Sequence, residues 1–154
     1  MTSSTGQTKV LAVASGGGHW VQLQRLAPAF VDADVAYVSI TEAYRPQVAP
    51  HRFYCINDAT RWNKARLVQA ALQLVPIIAK EKPDVVISTG AAPGYLAICL
   101  GKLFGARTVW LDSLANVEHL SLSGRLVRPF ADLWLTQWSH LGKPDGPLFR
   151  GSVV

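Results

Sequence analysis

The chain reads as an α/β domain: a Rossmann-like parallel sheet with helices on both faces. Residues 9–20, KVLAVASGGGHW, run from an apolar stretch straight into a glycine turn. A strand that is apolar on both sides belongs at the centre of a parallel sheet. Strand-like and helix-like segments then alternate along the chain, which implies parallel strands joined by right-handed helical crossovers. Polar, small-residue loops fall at the carboxyl ends of several strand-like segments, where such sheets bind their ligands. With 154 residues, one domain can bury a proper core.

The elements follow in order. Residues 10–14 are the first strand, and Ser15-Gly16-Gly17-Gly18-His19 turns into a helix over 20–30. Residues 35–40 (VAYVSI) are a second strand, 41–50 a polar loop with proline, and 52–56 a short third strand. A long helix is expected over 62–82, with Leu67, Ala71, Leu74 and Ile78 on one stripe and Pro76 as a bend. Residues 84–88 (DVVIS) are a fourth strand and lead into the small-residue loop 89–94. A helix over 95–104 is closed by Gly105, and 107–111 (RTVWL) form a fifth strand. A polar loop over 112–120, a short helix over 121–130 and a sixth strand over 132–136 complete the alternation. The expected strand order is 3-2-1-4-5-6. Residues 1–8 read as a disordered polar N-terminus, 9–141 as the domain, and 142–154, rich in Gly and Pro, as an irregular tail.

Composition narrows the class. Apolar residues make up 49% and charged residues 16%, a low charged share that leaves apolar surface for a partner or lipid to cover. The net charge of +5 suits anionic headgroups, diphosphate-linked substrates or nucleic acid. Cys55 and Cys99 are isolated, without metal-type spacing, and read as reduced core thiols, so neither a metal nor another cofactor is expected. The opening MTSSTGQTK lacks the apolar core of a signal peptide. No run approaches the ~18 apolar residues of a membrane span. The longest uncharged apolar run, 67–79, has basic flanks in Arg61, Lys64, Arg66, Lys80 and Lys82, with one acid, Glu81. Such a segment suits an interfacial helix on anionic lipid. An ordinary buried crossover helix is the plainer expectation.

Candidate chemistry sits in the loops. The glycine turn is neither G-x-G-x-x-G nor a P-loop, so no nucleotide site follows from it. Gly16, Gly17 and Gly18 allow close backbone approach, and the following helix amides favour an anionic or polar guest. His19 stands at the mouth of the turn, either as a proton acceptor near neutral pH or as a structural cap. Asp112, after the fifth strand, either handles a sugar hydroxyl or caps its own loop by accepting backbone amides.

Further motifs carry a resemblance. Thr89-Gly90-Ala91-Ala92-Pro93-Gly94 is followed by Asp112-Ser113-Leu114-Ala115-Asn116. Leu120-Ser121-Leu122-Ser123-Gly124-Arg125-Leu126 and Ala131-Asp132-Leu133-Trp134-Leu135-Thr136-Gln137-Trp138 come next. With Ser15-Gly16-Gly17-Gly18-His19, this order resembles the Alg-fourteen-like family of oligosaccharide biosynthesis, PssD-like in bacterial polysaccharide systems. That family is similar to the N-terminal half of a GT-B glycosyltransferase of the MurG type.

The resemblance implies the acceptor-binding, membrane-recruiting subunit of a two-component inverting glycosyltransferase. The acceptor would be a polyprenyl-diphosphate-linked sugar. A separate Alg-thirteen-like or PssE-like chain would hold the UDP-sugar. Neither metal nor nucleic acid enters, and the place of work would be the inner face of the cytoplasmic membrane. His19 and Asp112 would be the catalytic candidates. Ser15, Gly16, Gly17, Gly18, Gly90, Ser113 and Asn116 would bind the acceptor. Leu148, Phe149, Val153 and Val154 would dock the partner, the alternative being a frayed end. The family commonly has Glu-Ser where this chain has Asp112-Ser113, and often Arg near Asn116. A self-sufficient small α/β transferase or hydrolase, and a scaffold with a vestigial pocket, are the competing classes.

Overall fold

A computed structural model describes residues 6–60 and 62–153. Most of the polar N-terminus, Arg61 and Val154 lie outside the described residues. Seven strands form one sheet: β1 (Lys9–Val13), β2 (Asp34–Ser39), β3 (Arg52–Cys55), β4 (Val85–Ser88), β5 (Arg107–Leu111), β6 (Leu133–Thr136) and β7 (Leu148–Phe149). Their order is β3-β2-β1-β4-β5-β6-β7, and every pairing is parallel. The expected order therefore holds and gains one edge strand. The helices are α1 (Gly18–Arg25), α2 (Arg45–Val48), α3 (Lys64–Glu81), α4 (Ala91–Leu103) and α5 (Leu122–Leu126).

Period-two alternation in the central strands builds two cores. Leu11 and Val13 of β1 face α3 and α4, where Ala70, Leu74, Ile78, Ala97 and Ile98 are buried. Val10 and Ala12 face the opposite layer, with Trp20 and Leu23 of α1, Val48 of α2 and Phe53. Helices thus cover both faces, and β1 is buried on both.

Several boundaries shift for local reasons. The first helix ends at Arg25, and Pro28 lies in a separate 3₁₀ turn, Ala27–Phe30. α4 starts at Ala91, earlier than expected, because Pro93 sits in its first turn, where no intrahelical donor is required. The segment over 121–130 splits into α5 and a 3₁₀ turn at Arg128–Phe130, which contains Pro129. Contrary to the irregular tail expected over 142–154, Leu148 and Phe149 pair with Leu135 and Thr136 of β6. That strand is too short to show an alternating pattern in the sequence.

α3 is a crossover helix with one buried face and an outward face that is also apolar. Asn63 caps it by accepting the Arg66 amide, and Lys82 ends it in the left-handed conformation just before Pro83. Ala70, Leu74, Ile77 and Ile78 are buried. Pro76 is exposed, so the Leu72 carbonyl that loses its donor faces water rather than the core. The outward face is apolar too: Val68, Leu72 and Val75 are 57%, 67% and 36% exposed.

Glu81, at the end of α3, anchors the helix to the sheet edge. Its carboxylate accepts from Arg52 at 2.9 Å and from the Tyr54 hydroxyl, while Arg52 also reaches Asp34. Burial alone would raise the Glu81 pKa; the bonds from Arg52 and Tyr54 outweigh it and hold the group below its ordinary 4.5. Burial and the Glu81 bond push the Tyr54 hydroxyl up to about 12. A depressed carboxyl adds stability that is fully present above its unfolded pKa and is lost as pH falls through the folded one. Urea unfolding should therefore show stability falling below about pH 4.5. Glu81→Gln should flatten that part of the profile and be less stable than the parent at pH 7.

Candidate functional site

β1 and β4 are neighbours in the sheet, yet their crossovers leave in opposite directions, to β2 and to β5. The gap at their carboxyl ends is a topological switch point, the usual place for a ligand in an open α/β sheet. Two helices begin there, α1 at Gly18 and α4 at Ala91. Their first-turn amides have no intrahelical acceptor, so both ends present partial positive charge to the same gap.

His19 and Thr89 tie the two loops together. The Thr89 hydroxyl donates to the His19 carbonyl at 2.6 Å, and His19 Nδ1 lies 3.1 Å from the Thr89 carbonyl oxygen. A carbonyl only accepts, so Nδ1 carries the proton in this contact and the neutral ring keeps its lone pair on Nε2. Gly90 makes the approach possible. It has φ +142°, and a Cβ there would stand 2.4 Å from His19 Nδ1. Gly17, at φ +67°, donates its amide to the Tyr44 hydroxyl at 3.0 Å, and Tyr44 stacks on Trp20. The glycine turn is thus braced from behind, and the Gly17 amide is already engaged.

A cleft of about 580 Å³ opens beside His19. Ala91, Tyr95 and Leu96 of α4, Leu67 of α3, and Leu122 and Leu126 of α5 give it apolar walls. Ser113, Asn116, Ser121 and Ser123 supply the polar groups. A larger hollow of about 770 Å³ lies at the opposite edge, between Pro83, Asp84 and Arg107, away from the converging loops.

Of the residues singled out in the sequence, His19, Ser113 and Asn116 line the cleft, with Gly90 directly behind His19. Gly17 and Gly18 are exposed next to it, Gly16 is half-buried against Tyr44, and Ser15 is buried. Asp112 is not among the lining residues and is only 1% exposed. Its carboxylate accepts from Trp110 Nε1, the Ser121 amide, the Ser121 hydroxyl at 2.6 Å and Asn116 Nδ2. This is the geometry of its loop-capping alternative. Leu148, Phe149 and Val153 lie outside the cleft, and Val154 is outside the described residues.

Two positioning residues escaped the sequence reading. Gln22 of α1 is buried, donates to the Ser113 hydroxyl and accepts from the Leu114 amide and from Gln137 Nε2. Gln137 also donates to the Asp112 carbonyl at 3.0 Å and accepts from the Val153 amide at 2.8 Å, while Arg25 holds the Val153 carbonyl. The only trace in the sequence is a glutamine between the buried Trp20 and Leu23, and another closing the sixth strand.

A family model for Alg14-like oligosaccharide biosynthesis proteins matches residues 50–146. The chain belongs to that family. The UDP-N-acetylglucosamine transferase subunit alg14 of Schizosaccharomyces pombe is 41% identical over 66 residues, 38% of this chain and 30% of the yeast subunit. The Homo sapiens ALG14 subunit is 27% identical over 94% of this chain and 82% of its own length. Among solved structures, Acinetobacter baumannii MurG superposes with a TM-score of 0.78 at 12% identity, over 96% of this chain and 46% of MurG. A UDP-N-acetylglucosamine 2-epimerase from Rickettsia bellii gives 0.68 at 14% identity, over 87% and 40%. The chain thus matches about a third of the yeast subunit and under half of MurG, and the structural likeness is one of fold.

The Gln22–Gln137 pair joins the cleft loop to the tail. Gln137→Leu keeps the bulk but strands the Val153 amide and the Asp112 carbonyl and removes one of the three bonds that hold Gln22. An unpaired buried polar group costs about 1–3 kcal/mol. The variant should stay folded, lose stability on that scale, and show faster amide exchange at both Leu114 and Val153. Unchanged exchange at Leu114 would show that the tail and the loop are independent.

Proposed function

We propose that this chain is the acceptor-binding, membrane-recruiting subunit of a two-chain inverting glycosyltransferase. A partner chain supplies the UDP-sugar, and the acceptor is a saccharide on a polyprenyl diphosphate. The observation that carries this reading is the His19–Thr89 contact. It leaves an imidazole lone pair at the mouth of an apolar cleft, between two helix N-termini. The names of the yeast and human relatives support N-acetylglucosamine as the sugar transferred.

In this mechanism the diphosphate rests on the free amides at the start of α1 and α4, and the apolar cleft takes the hydrocarbon next to it. His19 Nε2 accepts the proton of the acceptor hydroxyl as its oxygen attacks the anomeric carbon. The bond from that carbon to UDP breaks, and the electron pair leaves with UDP, stabilised by the partner chain. Asp112 already has four donors on its carboxylate and orders the loop that carries Ser113 and Asn116. The partner docks on the β7 edge, where Phe149 is 40% exposed.

The purified chain alone should transfer no sugar, and adding the donor-binding chain should restore transfer. Transfer by the chain alone at the rate of the pair would establish a self-sufficient enzyme. In the pair, His19→Ala should lower kcat by about 10²–10⁴-fold with association intact. A raised KM with unchanged kcat would reduce His19 to a phosphate contact, and full activity would remove it from the mechanism.

The membrane contact is assigned to the outward face of α3. Val68, Leu72 and Val75 form an apolar stripe between the exposed Lys64, Arg66, Lys80 and Lys82, and no helix among the described residues is long and apolar enough to cross a bilayer. Binding to anionic vesicles should weaken at 1 M salt, where the Debye length is about 3 Å. Leu72→Glu should weaken it at any salt without unfolding the domain, because Leu72 packs against nothing in the core. Binding unaffected by both changes would leave α3 a plain crossover.

A further inference from the structure

α5 and the turn after it border two hollows of opposite character. Leu122 and Leu126 line the apolar cleft. Arg125 and Arg128 line a separate groove of about 380 Å³, with His119, Trp134 and Lys143. Among the described residues, neither arginine nor Lys143 has an ion-pair partner. Asp145 is the one carboxylate in the lining.

The groove is held in shape without a ligand. Arg128 donates to the Asp145 carbonyl at 2.9 Å and lies over the Trp134 ring, 5.6 Å from its centroid. Trp134 is itself fixed by donating its indole N–H to the Gly124 carbonyl at 2.8 Å. The turn that carries Lys143 is closed at both ends, from the Lys143 amide to the Pro147 carbonyl and from the Gly146 amide to the Lys143 carbonyl. Three cations therefore line a preformed hollow with one acid among them. Guanidinium forks match the oxygens of a phosphoryl group bidentately, and an ammonium adds a point charge.

We propose that this groove is an anion site for a diphosphate or phosphomonoester group, separate from the His19 cleft. The group comes either from a soluble diphosphate or from a lipid headgroup beside the exposed Leu126. The site does not depend on the transferase reading, since none of its residues takes part in the His19 chemistry.

The test is a titration of the full chain with inorganic pyrophosphate, followed by two-dimensional NMR. The Trp134 indole N–H and the Arg125 and Arg128 side-chain signals should shift together and saturate. In an Arg125→Gln/Lys143→Gln variant the midpoint for these signals should rise at least tenfold. Shifts at Gly17 and Gly18, which report the other site, should keep their midpoint. Asp145→Asn should tighten binding at the groove, a change in the direction that a loss of folding cannot produce. His19→Ala should leave the groove signals unaffected. Vesicles of phosphatidylcholine with and without phosphatidylglycerol identify the source. If the double variant loses the phosphatidylglycerol-dependent part of binding, the ligand is a headgroup; if only its pyrophosphate binding falls, the ligand is soluble. Groove signals that do not move, or that titrate identically in the parent and the double variant, overturn the site.

Discussion

β1 and β4 pair directly, with Val10–Val13 in register with Val85–Ser88. Their crossovers then diverge, so nothing packed on the sheet fills the space above their carboxyl ends. The geometry of the His19 cleft follows from that adjacency. It brings the Ser15–His19 turn against the Thr89–Gly94 loop, although about seventy residues separate them, and a reciprocal pair of bonds between His19 and Thr89 closes the seam. Gly90 is the steric condition for the seam, because any Cβ there would occupy the place of the imidazole. The tautomer of His19, the opening of the cleft and the meeting of two helix N-termini are consequences of one strand pairing.

The second constraint is the two-sided hydrophobicity of α3. A crossover helix needs one apolar face, and Ala70, Leu74, Ile77 and Ile78 provide it. Water gives no reason for the outward face to be apolar as well. Exposed valine and leucine between basic ends are the feature on which the proposed membrane contact rests. Leu67 turns from the same helix into the wall of the cleft, so the face assigned to the membrane and the space assigned to the acceptor share one element.

What the sequence reveals is what local periodicity encodes. The double-sided apolar run at residues 10–14, the glycine turn and the strand–helix alternation are enough for the sheet order and for His19 at the cleft, whereas Ser113 and Asn116 come into view only through the family resemblance. Contacts between distant residues leave no such trace. Gln22 reaches Ser113 and Gln137 across 91 and 115 positions, and neither glutamine looks different from a surface residue in its own segment. β7 is hidden for another reason: a two-residue strand takes its identity from the edge it joins, not from its own side chains. The exposed stripe of α3 is legible only as ambiguity, because one helical segment carries apolar residues on both its buried and its exposed faces.

Asp112 shows how the structure separates two titratable groups that the sequence leaves equivalent. Both it and His19 stand just past strand ends, and both have a side chain suited to accept a proton. A general base needs an open lone pair at the substrate's side. His19 keeps one on Nε2, whereas Asp112 uses its two oxygens on Trp110, Asn116 and Ser121 and is closed off from solvent. The length of the side chain matters here too. Gly124 lies so close that a Cβ would come within 2.3 Å of Asp112 Oδ1, so the ring of donors is fitted to an aspartate. A glutamate at this position, one methylene longer, would have to leave the ring or displace α5, and α5 forms a wall of the cleft. The shorter acid therefore belongs to the architecture of the loop, while the His19 ring keeps an unengaged nitrogen beside the cleft.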